Sequence, residues 1–271
     1  MIESEKLADA PVERTASDGD GRVVLSARDV VVRYGGVVAV DGVSFDVKAG
    51  EAVGLIGPNG AGKSTMLASL GGQAKAAGGS ILLDGRDVTK LSAYRRARLG
   101  LLRTFQSTSE FGDMTTFENL VTAGNGFKGA SLTSVVFHRK ENSRSDREIA
   151  GRAWEMLERF DMTHVANAYA KELSGGQRRL VEIMRCLMTS PKLLLLDEPM
   201  VGVAPHLVEK LVGDLCAIRD EGISIIIVEH ALEVVRALSN RVVVMSFGKK
   251  IADAPYDEIV NNREVQDAYL G

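Results

Sequence analysis

The sequence is short of cysteine, has no excess of basic charge and lacks any long apolar run, and each shortage removes a class of protein. Cys186 and Cys216 are the only two cysteines in 271 residues, too few for a disulfide framework. Both fall in helix-like stretches, where a lone thiol reads as a small buried hydrophobe, and this usage fits a reducing compartment. Thirty-three Lys and Arg against 36 Asp and Glu leave a formal net charge of −3. A nucleic-acid-binding domain needs a basic face, so no nucleic acid is expected as a partner. Leu193–Leu196 and Ile225–Val228 are among the longest apolar runs, far below the ~20 residues of a membrane span. No internal repeat at a fixed period is visible. Residues 1–22 carry Glu3, Glu5, Asp9, Glu13, Asp18 and Asp20 and no apolar h-region. They read as a flexible polar tail rather than a targeting signal. With 45% hydrophobic and 25% charged residues, the chain has the composition of a globular protein, long enough for one large domain or two modest ones.

What is present is a succession of patterns. From Val23 onward, Val30–Tyr34, Val37–Val40 and the alternating Val43, Phe45 and Val47 are separated by the turn signals Gly35-Gly36 and Asp41-Gly42. They predict an antiparallel, half-buried sheet. Ala52–Ile56 is a short continuous apolar run of the kind a buried parallel strand shows. Ile81–Leu83, Asp84-Gly85 and Arg86–Val88 predict another hairpin. Between about Thr115 and Leu173 the β pattern stops, and Ile149, Ala153, Met156, Leu157 and Phe160 share one helical stripe, read as core packing. Phe127–Asp146, with Lys128, His138, Arg139, Lys140 and Arg144, is a polar excursion, either solvated or touching a partner. Farther on, Leu193–Leu196, Ile223–Val228 and Val242–Met245 alternate with helical patterns, predicting a parallel α/β sheet.

Three motifs carry chemistry. Gly57-Pro58-Asn59-Gly60-Ala61-Gly62-Lys63-Ser64 fits G-x-x-x-x-G-K-[ST], with a strand-like run before it and a helix-like run after it. Glycines let backbone N–H groups curl around a phosphate, and the next helix aims its N-terminus at the anion. Lys63 reaches the β and γ phosphates, and the Ser64 hydroxyl can ligate Mg²⁺. Asp197-Glu198 closes the apolar run Leu193–Leu196, at the sheet edge where open parallel sheets bind ligands. Neighbours on a strand face opposite ways, so Asp197 can hold Mg²⁺ while Glu198 orients a water. Alone, the pair reads equally well as an acidic strand end capping the next helix. Ser174-Gly175-Gly176-Gln177 opens a helical pattern running through Leu180, Ile183, Met184 and Leu187. Ser174 is either an ordinary N-cap or part of a second anion site, and that second site need not face the first within one chain.

The phosphate loop, LSGGQ at Leu173–Gln177 and LLLLDEP at Leu193–Pro199, in that order, with Gln106 after Arg103-Thr104-Phe105 and His230 after Ile227-Val228-Glu229, resemble the ATP-binding subunit of an ABC transporter over about residues 25–271. Arg33-Tyr34-Gly35-Gly36, Gly100–Gln106, the insert after Phe127 and the stretch Asn261-Asn262 to Ala268-Tyr269-Leu270-Gly271 narrow the resemblance to ATPases of branched-chain amino acid importers. Lipopolysaccharide-export ATPases end similarly, so an exporter of that type is the alternative reading, and urea and amide importers use related subunits. The implied fold is an α/β, P-loop nucleotide-binding domain over residues 23–271. It would have a mostly parallel sheet core, an N-terminal antiparallel β subdomain and an inserted α-helical subdomain at 107–172.

The resemblance implies ATP and Mg²⁺ as ligands. Tyr34 would stack on adenine, residues Gly57 to Ser64 and Thr65 would hold the nucleotide, and Ser64, Gln106 and Asp197 would serve Mg²⁺. Lys63, Glu198 and His230 would act in catalysis. Ser174, Gly175, Gly176 and Gln177 would contact a γ-phosphate held by a second ATP-binding subunit, identical or related, paired head to tail. Taken singly, Tyr34 reads as a sheet aromatic, Gln106 as a loop amide and His230 as a surface histidine; their placement relative to the three motifs gives them the functional reading. Permease subunits, a solute-binding protein acting through them and a peripheral place on the cytoplasmic face of the membrane are implied as well. One departure stands out: where the family often has Asp before a Pro, this chain has Ala204 before Pro205, so a coupling contact across the dimer is missing. Two rivals are a soluble ABC ATPase acting on ribosomes or DNA, which usually carries paired cassettes or a long coiled coil, and an adaptor that binds ATP without turning it over.

Overall fold

The computed structural model describes residues 21–104, 112–124 and 139–270. Two sheets form the frame. The first, in order β2-β1-β4-β5, is antiparallel and joins β1 (Val23–Tyr34), β2 (Val37–Lys48), β4 (Gly78–Leu83) and the two-residue β5 (Arg86–Asp87). Gly35, at φ 58°, lies in the β1–β2 turn as expected. Asp41-Gly42 is not a turn: Val30 pairs with Val43 and Val32 with Val40, so one extra residue bulges from β2 while the strand continues. A bulge and a turn both favour a glycine at positive φ, here 68° at Gly42, so the dipeptide alone cannot tell them apart.

The second sheet has the order β10-β9-β3-β8-β7-β6. Its strands are β3 (Ala52–Ile56), β6 (Leu101–Arg103), β7 (Leu193–Asp197), β8 (Ser224–Val228), β9 (Arg241–Ser246) and β10 (Lys249–Ala254). All neighbours are parallel except β10, which runs antiparallel to β9. Every residue of β3, β7 and β8 is buried, because helices and the first sheet cover both faces. Alternation assigns the two faces. Leu194, Leu196, Ile225 and Ile227 join the core beneath the helices, whereas Leu193, Leu195, Ile226 and Val228 join the core shared with the first sheet and α1 (Lys63–Gly71).

Helices fill the remaining layer: α3 (Thr116–Ala123), α4 (Arg139–Arg159), α5 (Gly175–Met188), α6 (Pro205–Asp220) and α7 (Leu232–Leu238), with α8 (Tyr256–Ile259) and α9 (Arg263–Leu270) beyond β10. The stripe on α4 packs as expected: Ile149, Ala153, Leu157 and Phe160 are buried and Met156 packs against them. The polar stretch before it becomes helical from Arg139; its earlier residues and the tail at 1–20 lie outside the described residues. Among the described residues, no helix is long and apolar enough to cross a membrane.

A short helix, α2 (Ala93–Arg98), fixes the far end of α1. Its Arg96, 2% exposed, donates to the carbonyl oxygens of Ser69 (2.6 Å), Leu70 (2.7 Å), Thr89 (2.9 Å) and Leu91 (3.1 Å). Ser69 and Leu70 belong to the last turn of α1, so a buried cation meets the negative end of that helix. Burial pushes the Arg96 guanidinium below its ordinary value, and Asp87 opposes the shift.

Candidate nucleotide site

β3 delivers the chain to the phosphate loop at the carboxyl edge of the parallel sheet. Gly57 (φ 147°) and Gly62 (φ 96°) shape the loop. A Cβ on Gly57 would lie 2.0 Å from the Met245 carbonyl oxygen, and one on Gly62 would lie 2.3 Å from that of Ala39. The loop is thus wedged between β2 and the end of β9, and Gly248 N–H donates to Ala61 O at 3.0 Å to hold it there. α1 begins at Lys63 with Gly62 as N-cap and no side-chain cap. By contrast α3 and α5 are both closed by capping boxes, Thr115–Glu118 and Ser174–Gln177. An uncapped helix start beside a glycine loop leaves backbone N–H groups for an anion. Asn59, Gly60 and Ser64 are exposed there, while Pro58 and Thr65 are half-buried.

Lys63 is 6% exposed and folds back, its Nζ donating to the carbonyl oxygens of Gly57 (2.8 Å) and Pro58 (3.0 Å). Burial pushes its ammonium down from the ordinary lysine value, and the nearby Glu198 and Asp197 carboxylates resist the shift. Across the cleft, Ser64 Oγ donates to Asp197 Oδ1 at 3.3 Å, and Arg103 Nη2 donates to Asp197 Oδ2 at 2.7 Å. The hydroxyl and the carboxylate are hard oxygen donors brought side by side. Mg²⁺ takes such a pair with waters and phosphate oxygens completing an octahedron, so these residues fit that ion. Among the described residues no cluster of three or more His, Cys, Asp or Glu offers a cage built from protein alone.

Glu198 sits at φ 47°, an unusual value for a glutamate. Its N–H donates to Val228 O at 2.8 Å, anchoring β7's exit to β8. Its Oε1 lies 3.2 Å from His230 Nε2, which the tautomer makes donor or acceptor. The acid and the imidazole read separately from the sequence are therefore in contact.

Two residues that the sequence reading passed over hold this arrangement. Glu229, 5% exposed, accepts from the N–H groups of Met200 and His230, both at 2.9 Å, and so ties the segment after Glu198 to the one carrying His230. Arg179 on α5 donates to the Asp197 carbonyl oxygen and, at 2.8 Å, to Glu182 Oε2. A carboxylate ending the apolar run Ile225–Val228 was a visible signal for Glu229; nothing local distinguished Arg179.

The remaining expected residues stand apart. Ser174 is a true N-cap within one chain: its Oγ accepts from Gln177 N–H (3.2 Å), and Gln177 Oε1 accepts from Ser174 N–H (2.9 Å). Gly175 is exposed with open space beside it, whereas a Cβ on Gly176 would lie 2.8 Å from Gly202 O. Gly176 thus lets the start of α5 close on the segment after Glu198. Ala204 begins α6 without a side-chain cap. Tyr34, 56% exposed, ends β1. Gln106 lies outside the described residues.

A phosphate loop at the carboxyl edge of a parallel sheet, facing an Asp-Glu pair, defines a P-loop nucleotide-binding protein. Residues 40–201 match the ABC transporter family, and the chain belongs to that family, whose members hydrolyse ATP to power transport. Residues 249–271 match a second family described as branched-chain amino acid ATP-binding cassette transporter. The chain is 37% identical over 251 residues to the high-affinity branched-chain amino acid transport ATP-binding protein BraF of Pseudomonas aeruginosa, covering 92% of this chain and 98% of that one. It is similar to the solved ADP conformation of an ATP-binding cassette of an ABC transporter, with TM-score 0.78, 33% identity, and 92% and 99% of the two chains covered. It is also similar to the dimeric structure of a bacterial ABC transporter cassette, with TM-score 0.71, 26% identity, and coverage of 86% and 98%. ABC ATPase cassettes form dimers and work with transmembrane components.

Proposed function

We propose that the chain is the ATP-hydrolysing subunit of a membrane importer for branched-chain amino acids or closely related amino acids and amides. The supporting observation is the match of residues 249–271 to the branched-chain cassette family, on top of similarity to such a subunit along 92% of the chain. In this reading residues 23–271 form the cassette, 1–22 are a flexible tail, and the helical region 107–172 passes motion to permease subunits. A solute-binding protein acts through those permeases, and the chain sits peripherally on the cytoplasmic face of the membrane.

The chemistry is positioning plus charge stabilisation. The uncapped start of α1 and residues Gly57 to Thr65 bind the phosphate tail through backbone N–H groups, with Tyr34 against the base. Lys63 turns from the Gly57 and Pro58 carbonyls toward the β and γ phosphates. Ser64 and Asp197, with Gln106, hold Mg²⁺, which neutralises phosphate charge when bound. Glu198 accepts the proton of the attacking water, and His230, 3.2 Å from it, steadies the carboxylate and faces the γ-phosphate. Ser174, Gly175, Gly176 and Gln177 close the site from a second ATP-binding subunit. Closure follows from tighter binding of ATP to the paired state, and phosphate release reverses it.

The test is Glu198→Gln in phosphate-release and size-exclusion assays. The reading predicts turnover lowered by at least about 100-fold and a dimer that persists with ATP; turnover at the wild-type rate removes Glu198 as the base. Co-purification with amino-acid permeases is the companion test of the transport assignment.

A further inference from the structure

Asp197 is 2% exposed, and a carboxylate so deeply placed needs a counter-charge. Arg103 supplies it. Arg103 lies on β6 in register with Leu195 on β7, so its side chain reaches along the neighbouring strand to Asp197. The ion pair is 2.7 Å, with the arginine side chain 14% exposed.

What sets Arg103 apart is how little else holds it. Its Nε is buried and without a hydrogen-bond partner, and its Nη1 has only Gln73 Oε1 at 3.5 Å. Arg96 has four carbonyl partners, and Arg241 donates to Glu51, Asp253 and the Asp46 carbonyl. Those two are built into the fold from several sides, whereas Arg103 is held by one short charge-assisted bond.

That bond engages Oδ2 of Asp197, while Ser64 Oγ faces Oδ1. A divalent cation entering between Ser64 and Asp197 therefore meets a carboxylate already neutralised by a guanidinium, with the Lys63 ammonium close enough to sense both carboxylates. Like charges at such separations repel strongly in a poorly solvated site.

We infer that Arg103 is the resident counter-ion of Asp197, keeping the carboxylate paired before the metal arrives and raising the Mg²⁺ concentration needed to load the site. The inference rests on the proposed placement of Mg²⁺ at Ser64 and Asp197. Arg103 is a positioning residue, acting through Asp197 rather than on the nucleotide. Removing its charge while keeping the fold makes Asp197 a stronger site for the dication; keeping the charge in another shape leaves the competition in place.

The test reads binding rather than turnover. A fluorescent ADP analogue is titrated with MgCl₂, starting from EDTA, on wild type, Arg103→Gln, Arg103→Met and Arg103→Lys. Arg103→Gln and Arg103→Met should lower the Mg²⁺ midpoint at least five-fold, and Arg103→Lys should stay within two-fold of wild type. In EDTA the two neutral variants should also melt below wild type, with the gap closing when MgCl₂ and ADP are added together. Two neutral side chains of different shape keep the test usable if one fails to fold. A purely structural role for Arg103 predicts a midpoint that is unmoved or raised in the neutral variants, and that result overturns the inference while leaving the proposed function intact. Wild-type binding that ignores Mg²⁺ overturns the placement of Mg²⁺ at Ser64 and Asp197, and the inference with it.

Discussion

Replacing Gly57 by Ala probes the phosphate loop through geometry alone. The new Cβ would sit 2.0 Å from the Met245 carbonyl oxygen, where real Cβ atoms keep at least 3.0 Å. Neither side yields easily, because that carbonyl lies on a strand in the middle of a sheet. A backbone conformation foreign to alanine adds about 1–2 kcal/mol, and the forced displacement adds about 1–3 kcal/mol by analogy with overpacking. Lower unfolded-state entropy returns roughly 0.5 kcal/mol. The sum is a loss of about 3 kcal/mol, equivalent to a melting temperature lower by roughly 6–10 °C in a domain of this size. Gly60→Ala is the matched control. It too has positive φ, 78°, but nothing lies within 4 Å of its added Cβ, so its cost is about 1 kcal/mol. Urea unfolding of the nucleotide-free chain separates the two. Because Lys63 Nζ donates to Gly57 O, Gly57→Ala should also weaken nucleotide binding by at least about ten-fold, roughly 1.4 kcal/mol. Equal stability losses in the two variants would refute the claim that the wedge against β9 shapes this loop.

Two further outcomes can be measured simply. Arg96→Met removes four charge-assisted bonds to carbonyl oxygens, two of them at the end of α1; after relief of the buried charge, a net loss of about 3 kcal/mol is expected in urea unfolding. A change under about 1 kcal/mol would show that the guanidinium is not what closes that helix. Burial pushes the Cys186 thiol up to about 12 from an ordinary 9.0. Cys186 is half-buried rather than sealed, so its alkylation at about pH 8, located by peptide mapping, should be markedly slower in the folded chain than in denaturant, and equal rates would contradict the raised pKa.

The features most legible in the sequence are the local ones. A phosphate loop is eight consecutive residues between a strand and a helix, so Ile56, Gly57 to Ser64 and the start of α1 could be read together. β7 and β8 were equally plain, because strands covered on both faces become unbroken apolar runs. β6 and α2 were missed, being three and six residues long, too short for a period to register. Gly42 was misread because a bulge and a turn make the same demand on φ.

Within the site, the partners of the positioning residues could not be read locally, although Glu229 at the end of an apolar run was itself a visible signal. Arg103, Arg179 and Glu229 each act on a partner at least 18 residues away in the chain, and a long side chain carries no local mark of where it ends. Ser174 shows the reverse case: its local role as a cap was legible and is realised, while a role toward a neighbouring chain needs that chain.

The central claim is that one chain grips the phosphates through Gly57 to Thr65 while a second closes the site through Ser174 to Gln177. The direct measurement is the ATPase rate per chain over a thousand-fold dilution series, of the pure chain or of its assembly with a related ATPase. The account predicts a rate per chain that falls in proportion to concentration once the pairs dissociate. A rate per chain that stays constant where sedimentation shows only monomers would contradict it.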